Sequence, residues 1–310
     1  MALLFLRKIA TLVATLIFLA TLTFFLLRIL PGGPFDRERP MGESARAELS
    51  ARYELDRPVL AQYGSYLGKA ARLDFGPSYL RDGESVRDIL AEGIPVTAFL
   101  ALGALILALG IGLPLGVTAA ASPGSGFDRA LRLCAVSALS LPSFLTGAVL
   151  LYAFSLRLEI FPAAFWGGGA HRVLPLITLS LLPMAQIARL VRASVLENTS
   201  ADYVRTARAK GLSESSVLWS HALRNSLLPL LTYLGPLLAN LFAGTLVVET
   251  LFALPGLGSL FVSSVSGRDY PMVMGLTLLY GAILVAANLA AEISYGFVDP
   301  RLRLSNEAAR

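Results

Sequence analysis

The sequence predicts an all-α integral membrane protein with six transmembrane helices and one long polar excursion after the first. Three observations carry this. Hydrophobic residues make up 55% of the 310 and charged residues only 15%, where soluble domains hold roughly 25% charged. Six stretches approach or exceed the roughly 20 helical residues that a hydrocarbon core requires. Arginine and lysine gather in four segments separated by even numbers of crossings.

The six stretches run approximately from Ile9 to Leu30, Pro95 to Ala121, Leu133 to Leu156, Val173 to Leu190, Ser226 to Val248 and Met272 to Phe297. The second, third and fifth hold no charged side chain, and the sixth holds none as far as Ala291. The first follows Arg7 and Lys8. Its apolar run exceeds the roughly 7 to 15 residues of a secretory h-region, and no small-residue cleavage site follows it, so it reads as a retained helix. Cys134 reads as a small buried hydrophobe in the third span, and a single cysteine permits no intramolecular disulfide. Pro175 and Pro183 interrupt backbone bonding in the fourth and permit a bend.

Orientation follows from the positive charges. Arg7 and Lys8, then Arg129 and Arg132, then Arg189, Arg192, Arg205, Arg208, Lys210 and Arg224, and finally Arg301, Arg303 and Arg310 share one side. The positive-inside rule makes that side the cytoplasm, with both termini inside. The expected division is therefore 1–30 for the cytoplasmic tail and first helix and 31–94 for an extracytoplasmic loop region. Residues 95–298 form the transmembrane core, including a cytoplasmic segment at 200–225, and 299–310 form a cytoplasmic tail. Long loops translocate largely regardless of charge, so the arginines of 31–94 do not conflict with this. A short outer segment, Arg157 to Arg172, carries Gly167-Gly168-Gly169. After the fifth span, Glu249-Thr-Leu-Phe-Ala-Leu-Pro-Gly-Leu-Gly258 leads into an uncharged stretch ending near Gly267. Pro255, Gly256 and Gly258 break it too often for a full crossing. It reads as a re-entrant or interfacial hairpin, which is tolerated at membrane depth only where protein or a water-filled cavity covers its backbone.

The polar island at 200–225 is the most specific feature. Ser200 is expected to N-cap a short helix with Asp202 in its first turn and Arg205, Arg208 and Lys210 toward its end, so each charge suits the helix dipole. Gly211 supplies a left-handed C′ position, and Ser213 caps a second short helix from Glu214. Ala207 and Ala209 keep the first helix slim, as a knob entering a socket on another protein requires. A solvated connector with good caps is the plainer alternative.

Several functions are excluded. The three lysines, Lys8, Lys69 and Lys210, do not end a Gly-x-x-x-x-Gly-Lys phosphate loop, so any ATPase is another polypeptide. His171 and His221 fall on opposite sides of the membrane and Cys134 is isolated, so no metal-ligand spacing exists. The same separation defeats an intramembrane serine protease, which needs Ser and His together at depth. The net charge of +5 is explained by the arginines beside the spans, without a basic stripe for nucleic acid. A self-contained secondary transporter should show an inverted repeat and intramembrane ionisable residues, and neither is apparent. Glu249, at the outer end of the fifth span, should face protein or water, either structuring the hairpin or lining a path. Glu292 near the inner end of the last span should pair with a cytoplasmic arginine, and Arg28 should snorkel outward.

The island, Glu249 to Gly258, Arg268-Asp-Tyr-Pro271 and Asp299-Pro-Arg301 together resemble the permease subunit of bacterial binding-protein-dependent ABC importers for peptides. Arg28-Ile-Leu-Pro-Gly-Gly-Pro-Phe35, Asp74-Phe-Gly-Pro-Ser78 and the large outer loop resemble the B-type permease of the oligopeptide system. The resemblance covers essentially the whole chain. It implies a type I importer permease fold, a C-type permease as second half, two cytoplasmic ATPase subunits that bind ATP and Mg, and an extracytoplasmic peptide-binding protein. It implies no cofactor on this chain. The family's cytoplasmic signature, Glu-Ala-Ala, three residues, then Gly, is matched through Gly211, with Arg205, Thr206 and Ala207 in the first three positions and Arg224 where many relatives have proline. The resemblance carries the ATPase-coupling role onto Asp202, Tyr203, Arg205, Thr206, Ala207, Arg208, Ala209, Lys210, Gly211, Leu212 and Ser213. Glu249, Pro255, Gly256 and Gly258 are candidates for a gate or pathway. Dipeptide, nickel and glutathione importers share most of these features, and the outer loop either docks the binding protein or stiffens the outer mouth.

Overall fold

The computed structural model describes residues 2–29, 55–81 and 83–298. Arg301, Arg303, Arg310, the Asp299-Pro-Arg301 motif, the side chain of Glu292 and most of Arg28 to Phe35 lie outside the described residues. In order the helices are α1 (Ala2–Ile29), α2 (Val59–Ala70), α3 (Val86–Ala121), α4 (Gly126–Ser140), α5 (Ser143–Arg157), α6 (Gly169–Thr199), α7 (Asp202–Ala209), α8 (Glu214–Leu251), α9 (Leu257–Ser266) and α10 (Tyr270–Val298). Among the described residues the only strand-like pairing is an isolated bridge between Pro77 and Ser85. Helices α1, α3, α6, α8 and α10 are each long and apolar enough to cross a membrane, and the α4–α5 pair makes a sixth if taken as one span.

That pair corrects the sequence reading. The expected third span, Leu133 to Leu156, is two helices that meet at 107°. Leu141 has φ −97° and ψ 129°, the extended conformation that a following proline favours, and Pro142 has no N–H with which to continue the ladder. Cys134 is exposed rather than buried, because α4 buries only Asp128 and Ala135. The second span starts at Val86, not Pro95: Val86, Ile89 and Leu90 are buried and hold the extra turns in the core. Pro175 and Pro183 are buried within α6, which continues through both.

The described residues form two compact units, those within 1–97 and 255–285 and those within 98–254 and 286–310. In the second, α6 is the central helix, packed on α4, α5, α7 and α8. The α3 backbone also closes on it through Gly112-Leu-Pro-Leu-Gly116. A Cβ at Gly112 would lie 2.7 Å from the Met184 carbonyl oxygen, and one at Gly116 would lie 2.6 Å from that of Ala188. Small residues spaced by four let apolar helices approach this closely and gain dispersion contact where lipid offers no hydrophobic drive.

In the first unit, Val86, Ile89 and Leu90 of α3 pack with Leu257 of α9 and Met272 and Leu276 of α10. Phe24 of α1 lies in an aromatic cluster with Phe25, Tyr63 and Tyr66. Two short motifs that are far apart in sequence meet here. The Ser78 hydroxyl donates to the Asp269 carboxylate, and both residues are buried. Asp269 also accepts from Leu80 N at 3.3 Å and from Met272 N at 3.2 Å, capping α10 while holding the 74–78 turn. Gly76 takes φ +81° in that turn, a conformation that glycine adopts at little cost. Asp269→Ala removes a charged acceptor from three donors and is expected to cost about 2 kcal/mol of stability; thermal unfolding of the detergent-purified variant measures it.

Candidate coupling site

The α7 helix is held by its apolar face and displays the rest. Val204 and Ala207, three apart, are buried at 0% and 4% exposure, so they share one side of the helix. Asp202, Tyr203, Arg205, Thr206, Arg208, Ala209, Lys210, Gly211, Leu212 and Ser213 are all exposed. Ala207 therefore anchors α7 to its own chain and is not part of the displayed surface; Ala209 is.

The corner after α7 is as expected. Gly211 has φ +78°, Gly211 N donates to the Arg208 carbonyl at 2.9 Å, and Leu212 N donates to the Ala207 carbonyl at 3.4 Å. These two bonds are the paired closure of a Schellman cap. Ser213 caps the next helix, its hydroxyl accepting from Ser216 N at 3.4 Å. Two expectations fail. Ser200 is not the N-cap of α7: its hydroxyl donates to the Glu197 carbonyl at 2.8 Å and closes α6, while Ala201 precedes α7 with no side-chain cap. The helix from Glu214 is not short. It passes through a π-helical segment, Val217–Ala222, and continues to Leu251. Continuous helix thus joins the corner to a membrane span.

Arg208 braces this corner in a way the sequence did not suggest. Its Nε and Nη2 donate to Glu214 Oε1 and Oε2 at 2.8 and 3.1 Å, and its Nη1 donates to the Thr199 carbonyl at 3.3 Å. One guanidinium therefore ties α7, the start of α8 and the end of α6. Hydrogen bonding to the carboxylate raises the Arg208 pKa above its usual value. A single exposed ion pair contributes little to stability, but the planar two-point geometry fixes an angle. The flanking spans are tied as well: Ser226 Oγ of α8 donates to the Ser194 carbonyl of α6 at 3.1 Å, and the Tyr233 hydroxyl donates to Gln186 Oε1. Tyr203 OH donates to Asn198 Oδ1 at 3.0 Å, a further contact between α7 and α6.

Asp128 at the start of α4 was also overlooked. It is fully buried, meets Arg192 Nε, and accepts from Arg192 Nη2 at 2.8 Å and from Gly124 N at 2.9 Å. Arg132 stands 3.7 Å away. This pair fastens α4 to the same half of α6 that carries the island. Its partners are 64 residues apart, so no local spacing could have paired them.

Glu249 is fully buried in the last turn of α8, where its carbonyl accepts from Leu254 N at 2.8 Å. Pro255 is exposed, while Gly256 and Gly258 are buried. Gly256 precedes α9, a helix of ten residues, too short to cross. Leu257 N donates to the buried Thr97 hydroxyl at 2.8 Å. Arg28 does not extend freely outward. Its guanidinium lies 3.4 Å from the centroid of the Phe24 ring and donates to the Phe24 carbonyl at 3.2 Å and to Gln62 Oε1 at 2.5 Å. Among the described residues no cluster of three His, Cys, Asp or Glu could hold a metal ion.

Residues 112–304 match the model of the family described as "Binding-protein-dependent transport system inner membrane component". The chain belongs to this family. Among curated relatives, the permease is 42% identical over 298 residues to the dipeptide transport system permease protein DppB of Bacillus subtilis, covering 96% of this chain and 97% of that one. It is 38% identical over 300 residues to the oligopeptide transport system permease protein OppB of Salmonella typhimurium, covering 96% and 98%. Among solved structures, the inward-facing MetNI methionine ABC transporter aligns with TM-score 0.58 and 20% identity, over 68% of this chain and 96% of that chain. That likeness shows a shared membrane fold. The protein is a multi-pass membrane component of a transport system, and catalysis is not the family's role.

Proposed function

We propose that this permease forms half of an import pathway for oligopeptides and that the island at 202–213 couples it to separate cytoplasmic ATPase subunits. The observation that carries the reading is the continuous helix from Glu214 into a membrane span, cornered at Gly211 and braced by Arg208. A push on the exposed face of α7 reaches two spans, α6 and α8, through short fixed connections rather than through a loose linker. A C-type permease completes the pathway, and an extracytoplasmic binding protein delivers the cargo to the side bearing residues 31–94. Both termini then lie in the cytoplasm. ATP and Mg bind the ATPase subunits, and this chain holds no cofactor. The turn at Glu249, Pro255, Gly256 and Gly258 lies beside the pathway as its outer gate.

The peptide reading draws on the dipeptide and oligopeptide permeases to which the chain is similar. It is tested by uptake into proteoliposomes holding the complete transporter, its binding protein and internal ATP. Labelled oligopeptide should accumulate only with ATP, and dipeptide, nickel or glutathione accumulating instead would reassign the cargo. Uptake by this chain alone on an ion gradient would overturn the importer reading. In the same assay, Arg208→Gln should lower the uptake rate several-fold while ATPase activity falls less, because the corner loses its two-point brace and part of the stroke.

A further inference from the structure

The first unit contains a half-open cavity of about 180 Å³ between the last turns of α1, the helix α2, the turn at 75–77 and the start of α10. Its chemistry is one-sided. Arg28 and Lys69 line it, and among the described residues no carboxylate does. Arg28 retains unused N–H donors after its bonds to Phe24 and Gln62. Among the described residues Lys69 has no side-chain partner, and the buried Tyr66 hydroxyl, which also lines the cavity, has none either. A buried hydroxyl without a partner calls for an explanation.

The helix α2 is turned the unusual way round. Gln62, Ser65, Tyr66 and Lys69, spaced along one face, line the cavity, whereas Val59 and Leu60 are 44% and 75% exposed. A helix in water would bury the apolar pair. On the other side of α1 from Phe24 and Arg28, Leu22, Leu26 and Ile29 are 51%, 55% and 79% exposed, a strip at the spacing of one helical face. The cavity is also smaller than the roughly 300 to 1,000 Å³ of pockets that enclose whole ligands, so it suits one end of a longer molecule. Arg28 lies at the end of a membrane span, and tyrosines at that depth favour the headgroup level.

We propose that this cavity holds the phosphodiester headgroup of an anionic phospholipid packed at the end of the α1 span. Arg28, Lys69 and the Tyr66 hydroxyl supply the donors. The site consists of first-unit residues alone and does not depend on the cargo.

The test is native mass spectrometry of the purified intact transporter, titrated with phosphatidylglycerol or phosphatidylcholine. Wild type should retain one tightly held phosphatidylglycerol. Lys69→Gln should weaken that retention about fivefold, Tyr66→Phe should weaken it further, Lys69→Arg should restore it, and phosphatidylcholine retention should be the same throughout. Equal phosphatidylglycerol retention by wild type and the Lys69→Gln, Tyr66→Phe double variant overturns the proposal. Displacement by excess glycerol phosphate would assign the site to a soluble phosphoester and overturn the lipid assignment. Both substitutions are at positions open to the cavity, so correct folding is checked by unchanged assembly with the partner subunits.

Discussion

Gly211→Val is expected to lower ATP-driven uptake by the assembled transporter about tenfold or more, with the protein still inserted and still bound to its partners. The reason is local. Gly211 has φ +78°, and a Cβ placed there meets nothing within 4 Å, so the penalty comes from backbone conformation and not from a clash. A β-branched residue in the left-handed region costs on the order of 1 to 2 kcal/mol. That is too little to unfold the protein but enough to open the Schellman closure between Arg208, Ala207 and Leu212. With the corner open, α7 no longer moves as one piece with α8. Gly211→Asn, which tolerates this conformation, should retain most of the uptake, and Gly211→Ala should fall between. Uptake measured against ATP hydrolysis gives the order Asn, Ala, Val. Equal rates across the series would show that the corner transmits nothing.

Gly116→Leu should have the largest effect on folding. The α3 backbone approaches α6 so closely that a Cβ at Gly116 would meet the Ala188 carbonyl at 2.6 Å and Val191 Cβ at 2.9 Å. Backbone cannot rotate away as a side-chain tip can, so the helices must part. Overpacking of this kind costs about 1 to 3 kcal/mol or more, and the separation also breaks the contact at Gly112, one turn earlier. The expected result is a clear loss of folded, partner-assembled protein, read as the monodisperse fraction in size-exclusion chromatography of solubilised membranes. Gly110→Leu, where a Cβ meets nothing within 4 Å, should be tolerated.

The helices and the corner were legible because they depend on local chemistry. Apolar length identifies a span, and Gly211 followed by Ser213 marks one helix end and the next start. What could not be read are the pairings across long separations. Ser78 with Asp269 and Asp128 with Arg192 join residues whose proximity is set by tertiary packing. Arg208 with Glu214 crosses a turn, so helical spacing rules do not reach it. Other signals were present and passed over. Gly112-Leu-Pro-Leu-Gly116 is a small-residue motif in an apolar run, and Leu141-Pro142 marks the break between α4 and α5. Ser200 misled because a serine can close a helix as readily as open one.

Site-specific photo-cross-linking tests the coupling claim most directly. A photoreactive residue replacing Arg205, exposed on α7, in the complete transporter in native membranes is predicted to give an adduct with the ATPase subunit. The same residue replacing Leu60, exposed on α2, is predicted to give none. An ATPase adduct absent at Arg205, or present at Leu60 instead, would contradict the account.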